Sequence, residues 1–115
     1  MRHIEENMQI ACVRWFSYQY PKLALLLHHS PNGGKRNPRE AARFKAMGTK
    51  AGFPDLGLYF PSKGFGALFI EMKTDTGKQT KEQKRLEEML LEKGYSYRIC
   101  RSVEEFIKEV REYLE

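Results

Sequence analysis

Gly52-Phe53-Pro54-Asp55, followed after fifteen intervening residues by Glu71-Met72-Lys73 at the end of the run Phe65-Gly66-Ala67-Leu68-Phe69-Ile70, is the stretch on which the reading turns. Pro54 cannot donate to a sheet ladder and disfavours helix at Phe53, so it marks the entry to a strand, Asp55-Leu56-Gly57-Leu58-Tyr59-Phe60. Pro61-Ser62-Lys63-Gly64 is turn chemistry. Phe65 to Lys73 then predicts a second strand, antiparallel to the first across that turn. With a period of two, Phe69, Glu71 and Lys73 share one face, while Leu68, Ile70 and Met72 fill the other. Acid and lysine project side by side, and the hairpin brings Asp55 within reach of them.

Working outward, His3 to about Tyr18 carries Ile4, Met8, Ala11 and Trp15 at helical steps, which predicts an amphipathic helix with Glu5 and Gln9 on one edge of the stripe and Glu6 further from the core. Pro21 breaks it. Leu23-Ala24-Leu25-Leu26-Leu27-His28-His29 reads as a short, largely buried strand, although its leucines would equally suit a helix. His28 and His29 would then point to opposite faces, where one can look into a site or serve as a hydrogen-bonded structural group. Asn32-Gly33-Gly34 opens a polar loop. Pro38 to Met47 follows as a helix capped by Asn37 and stopped by Gly48. Beyond Lys73, Thr80 starts a helix that ends at Gly94, with Thr80 and Gln83 matching a capping box. Tyr95 to Cys100 reads as a strand. Ser102 with Glu105 forms a second capping box for a last helix that buries Val103, Phe106, Ile107, Val110 and Leu114. The expected order is helix, strand, basic helix, strand, strand, helix, strand, helix.

At 115 residues, with 41% apolar and 30% charged composition, the chain has room for one domain, 1–115, and one core. Its longest apolar run, Leu23 to Leu27, is too short to cross a bilayer. The N-terminal residues lack the apolar stretch of a signal peptide, so a soluble intracellular protein without a membrane partner is expected. Cys12 and Cys100 fit buried free thiols better than a disulfide. The absence of a Cys/His cluster leaves a structural zinc site without support. Between Lys35 and Lys50, six basic residues (Lys35, Arg36, Arg39, Arg43, Lys45, Lys50) face one acid, Glu40, which accounts for the whole net charge of +5. A basic excess confined to one segment suits a polyanion, with Arg39 and Arg43 on one helical face; a solvated helix face is the alternative.

Two carboxylates meeting at one point of a hairpin offer hard oxygen ligands to Mg2+ or Mn2+, with the Met72 carbonyl as a further oxygen. Lys73, beside Glu71, can donate to an attacking water or to charge developing on a phosphate. A Glu-x-Lys triplet alone is unspecific and is equally read as a surface ion pair worth about 0–1 kcal/mol. The conjunction separates the two readings: proline before the aspartate, two strands at the right distance, an acid at the edge of a preceding helix and glutamine in the following one.

Together these residues resemble the PD-(D/E)xK signature of restriction-endonuclease-like nucleases, and in particular the VRR-NUC (virus-type replication-repair nuclease) branch. The likeness covers nearly the whole chain: Glu5 with Gln9, Asn32-Gly33, Gly48, Gly52-Phe53-Pro54-Asp55, Glu71-Met72-Lys73, Gln83 and Gly94-Tyr95. It implies an α/β fold, a central mixed sheet flanked by helices, and metal-dependent cleavage of DNA. It also implies metal binding by Asp55 and Glu71, a catalytic Lys73, a metal-proximal acid in the first helix, Glu5 with the adjacent Glu6 as the alternative, and a supporting Gln83. Standalone members resemble Holliday-junction resolvases, for which a two-fold homodimer supplies paired cuts. Asn32 and the basic residues would hold the DNA backbone. Nucleases acting on duplex, flaps or DNA ends, and a non-catalytic DNA-binding module of the same fold, are the competing readings.

Overall fold

A computed structural model describes residues 3–31 and 37–115. Helix α1 (Ile4–Gln19) leads through a 3-10 segment (Pro21–Leu26) into strand β1 (Leu27–His29). Helix α2 (Pro38–Ala46) follows, then β2 (Leu56–Leu58), β3 (Leu68–Met72), α3 (Lys81–Glu92), β4 (Ser96–Cys100) and α4 (Val103–Leu114). The four strands form one mixed sheet in the order β1-β2-β3-β4, with β1–β2 and β2–β3 antiparallel and β3–β4 parallel. The α/β fold and the element order expected from the sequence are both present.

Alternation along β2 and β3 assigns the two faces of the sheet. Leu56, Leu58, Leu68, Ile70 and Met72 join Cys12 and Phe16 of α1 and Phe106, Val110 and Tyr113 of α4 in the main core. Phe69 and Tyr97, on the opposite face, pack with Phe53, Leu90 and Tyr95. The helices supply what their capping residues promise. The Asn37 side chain accepts from the Glu40 N–H, and Thr80 and Gln83 form a complete reciprocal capping box. Cys12 and Cys100 are buried free thiols, and burial pushes each up to about 12, which keeps them inert.

The structure corrects four local expectations. Leu23 to Leu26 is 3-10 rather than strand: Pro21 at its start presets helical φ, Leu23 N–H closes on the Tyr20 carbonyl at 2.9 Å, and Leu25 stands 97% exposed. The buried stripe of α1 is rotated from the Ile4–Ala11 line, with Ile4 51% exposed and Cys12 and Phe16 fully buried. The sheet meets α1 on the side where Met8, Cys12 and Phe16 recur, and Trp15 turns to the flank, edge-on to Phe106 and beneath the Arg111 guanidinium. Ser102 caps α4 through the Glu105 N–H, but the Glu105 carboxylate accepts from Arg101 N–H at 2.6 Å, so that box is not reciprocal. Tyr113 joins the buried face of α4, its hydroxyl donating to the Phe60 carbonyl at 2.7 Å.

Candidate active site

Register places the acids. Leu56 pairs with Ile70 and Gly57 with Phe69, so continuing the antiparallel ladder by one residue sets Asp55 opposite Glu71. Asp55, Gly57 and Tyr59 of the β2 chain therefore share a sheet face with Phe69, Glu71 and Lys73. Pro54, fully buried, carries the chain into this edge, and an Asp55 carboxylate oxygen accepts the Met72 N–H at 2.7 Å. That bond replaces the ladder contact that β2 is too short to make and locks Asp55 against the end of β3.

Glu71 is 3% exposed. One carboxylate oxygen, Oε2, accepts from the Gln83 side-chain amide at 2.8 Å. The other, Oε1, is the buried side-chain oxygen that has no hydrogen-bond partner among the described residues. Burial pushes the Glu71 carboxyl up to about 9, helped by the facing Asp55 carboxylate and, more weakly, by Glu5, with Lys73 opposing. Two facing acids with one bare oxygen are satisfied by a shared proton or by a cation.

Lys73 is 9% exposed, and its backbone N–H is held by the Cys100 carbonyl at 3.0 Å. Its ammonium has no hydrogen-bond or ion-pair partner among the described residues. The surface ion pair with Glu71 is absent: among the described residues the ion pairs join His3 to Glu6, Arg98 to Glu109 and Lys108 to Glu112. The turn that follows is clasped by Arg101, whose guanidinium donates to the carbonyls of Thr74 and Gly77 at 2.7 Å each.

Gln83 makes two contacts. Its amide oxygen accepts the Thr80 N–H at 2.8 Å while its amide nitrogen holds Glu71, so one side chain starts α3 and orients the acid. Gly52 seats that turn. It adopts φ +79, and a Cβ there would lie 2.7 Å from the Glu82 backbone carbon and 2.8 Å from Gln83 N. Only glycine allows both the left-handed backbone and the contact.

Glu5 lies exposed in the first turn of α1, in helical line with Cys12 and Phe16, and its charge contributes weakly to the rise at Glu71. Glu6 instead pairs with His3 at 3.4 Å at the exposed surface. Gln9 reaches His29 Nδ1 at 3.1 Å, and the same nitrogen lies 2.9 Å from the Asp55 carbonyl oxygen. His29 is thus the structural histidine, a bridge between α1 and the acid-bearing strand. Sequence reasoning left open which histidine would take that part, and it missed the seating of Gly52 against α3 and the Arg101 clasp because their partners are distant in the chain.

Of the residues expected to hold DNA, Asn32, Lys35 and Arg36 lie outside the described residues. Arg39, Arg43 and Lys45 are exposed along α2, and exposed Lys50 follows it. No group of three His, Cys, Asp or Glu side chains among the described residues stands close enough to hold a metal. A cation at Asp55 and Glu71 would complete its shell from backbone, water and substrate.

A mixed sheet with helices on both faces and paired acids at one end is a restriction-endonuclease-like core. The sequence matches the VRR-NUC domain over residues 4–104. A solved VRR_NUC domain protein superposes with a TM-score of 0.84 at 32% identity, covering 96% of this chain and 87% of that one. No curated protein matches. The chain belongs to the VRR-NUC family, a family of nuclease domains.

Proposed function

We propose that the protein is a Mg2+- or Mn2+-dependent structure-specific DNA endonuclease that acts on branched DNA, in particular four-way junctions, as a homodimer. The observation that carries the hydrolytic reading is the buried Glu71 opposite Asp55, its Oε1 without a hydrogen bond among the described residues, with Lys73 on the same sheet face lowering the Glu71 carboxyl by its charge. A hard divalent cation fits this donor set, because it takes one or two carboxylates and keeps water and phosphate oxygens as its other ligands. Asp55 and Glu71 would hold it, with the Met72 carbonyl as a third oxygen. When bound, such an ion acidifies a coordinated water and polarises the phosphodiester.

The chain's own groups do the remaining work. Gln83 fixes the rotation of Glu71, and the Met72 N–H fixes Asp55, so the two carboxylates are positioned before substrate arrives. Lys73 donates to the attacking water or to a non-bridging phosphate oxygen as negative charge builds there. Glu5, at the rim, adds an acid that can accept a proton from the water. Arg39, Arg43, Lys45 and Lys50 hold the flanking backbone by charge, which positions DNA without reading sequence.

A two-fold dimer matches the symmetry of a four-way junction and its need for paired cuts. The test is cleavage of four-way junction, flap and linear duplex DNA, with and without metal, alongside the sedimentation mass of the protein. Paired nicks on the junction by a dimer support the proposal. Equal cutting of linear duplex by a monomer overturns the junction and dimer reading.

A further inference from the structure

On the sheet face that carries the acid pair, a cavity of about 440 Å³ opens between α2 and the strands, lined by His28, Phe44, Phe53 and Tyr59 together with Thr49 and Lys50. Its floor is an aromatic row. Tyr59 and Phe53 both meet buried Phe69 edge-on, at 5.8 and 5.7 Å, and His28 meets Tyr59 at 6.4 Å. Gly57 beneath them makes the row possible, because a Cβ there would lie 2.8 Å from the Tyr59 ring and 3.0 Å from Phe69. Tyr59 keeps 47% of its surface exposed.

Position decides what the cavity holds. His28, Gly57 and Phe69 form one row across β1, β2 and β3, and Asp55 and Glu71 form the next row but one along the strands, about 7 Å away. That is the reach from a phosphate at the acid pair to the base of an adjoining nucleotide. The volume is ordinary for a pocket that takes a small planar ligand. Exposed aromatic faces stack on any base, and Lys50 with the cations of α2 supplies charge for the neighbouring phosphate.

Resting on the nuclease reading above, we infer that this cavity binds an unpaired nucleobase next to the scissile phosphate, stacked on Tyr59. A base inside a continuous duplex cannot reach such a recess without leaving the stack. The substrates are therefore DNAs that already offer an unpaired or easily unstacked nucleotide beside the cut: flaps, junction crossovers and single strands.

The test is binding of the unmodified protein, in EDTA, to a flap DNA in which one abasic position is moved through the unpaired nucleotides at the branch. One position should weaken binding by about 5- to 150-fold, the range of a lost base–aromatic stack. Tyr59→Leu should show the same loss on intact DNA and no longer respond to the abasic position, while Tyr59→Phe keeps parental binding. A flat abasic scan overturns the inference, as does a Tyr59→Leu protein that still feels the abasic penalty in full. Cleavage in Mg2+ is scored separately. DNA that is cut despite a flat scan removes the base site alone, whereas a sharp scan without cleavage in any divalent metal removes the nuclease reading and leaves the base site standing.

Discussion

Glu71→Gln should stabilise the metal-free protein at alkaline pH. In the fold, burial and the facing Asp55 hold the Glu71 carboxyl up near 9, whereas in the unfolded chain it titrates near its ordinary value of 4.5. Between these values the folded state keeps a proton that the unfolded state has lost. Stability from this group is complete below the unfolded value and is lost as pH rises through the folded one. Each pH unit inside the window costs about 1.4 kcal/mol, so the step from pH 5 to pH 8 removes at most about 4 kcal/mol. Even a third of that is measurable. The amide substitution has no charge to bury, can accept from Gln83 through its oxygen, and puts an NH2 where the parental protein has a buried oxygen without a hydrogen bond among the described residues. Urea unfolding in EDTA at pH 5, 6.5 and 8 is the assay. The parental midpoint should fall with pH and the variant's should stay nearly level, with millimolar Mg2+ restoring the parental protein at pH 8 and leaving the variant unmoved. A parental stability that is flat from pH 5 to 8, or a variant less stable than the parent at pH 8, refutes the reasoning.

Gln83→Ala removes half of a capping box and the Glu71 hydrogen bond, so it should cost about 1–2 kcal/mol in urea unfolding and also slow cleavage, a combination that a purely structural cap would not give. Gly52→Ala places a Cβ against the first turn of α3 at φ +79 and should destabilise by roughly 1–3 kcal/mol, with a larger effect on cleavage than any exposed substitution on α2. Neutralising Arg39, Arg43, Lys45 and Lys50 together should flatten the log–log salt dependence of duplex binding by about three to four if each meets a phosphate, and an unchanged slope would make α2 a solvated face.

How much of this was legible in the sequence follows from how local each feature is. The hairpin of β2 and β3 and the shared face of Glu71 and Lys73 rest on period two and a turn, and both stand in the structure. Caps at Asn37, Thr80 and Ser102 are equally local. The α1 stripe is less so: apolar residues ring much of that helix, and only the position of the sheet decides that Cys12 and Phe16 are the buried line. That choice matters, because it puts Glu5 in line with the buried face and turns Glu6 away from it, although both acids are exposed. Leu23 to Leu26 could not be resolved by periodicity, since a four-residue apolar run fits strand and helix alike until Pro21 and its backbone bonds are placed. The close approach of Gly52 to α3, the Arg101 clasp and the aromatic cavity join residues far apart in the chain, and no pattern of spacing announces them.

The most direct test of the Asp55–Glu71–Lys73 centre is the single-turnover rate of DNA cleavage by the parental protein, Asp55→Asn and Lys73→Ala in Mg2+ and in EDTA, with circular dichroism confirming that each variant is folded. The account predicts cleavage by the parental protein in Mg2+ alone and a loss of roughly 10²–10³-fold or more in each folded variant. Cleavage at the parental rate by either variant, or undiminished cutting in EDTA, would contradict it.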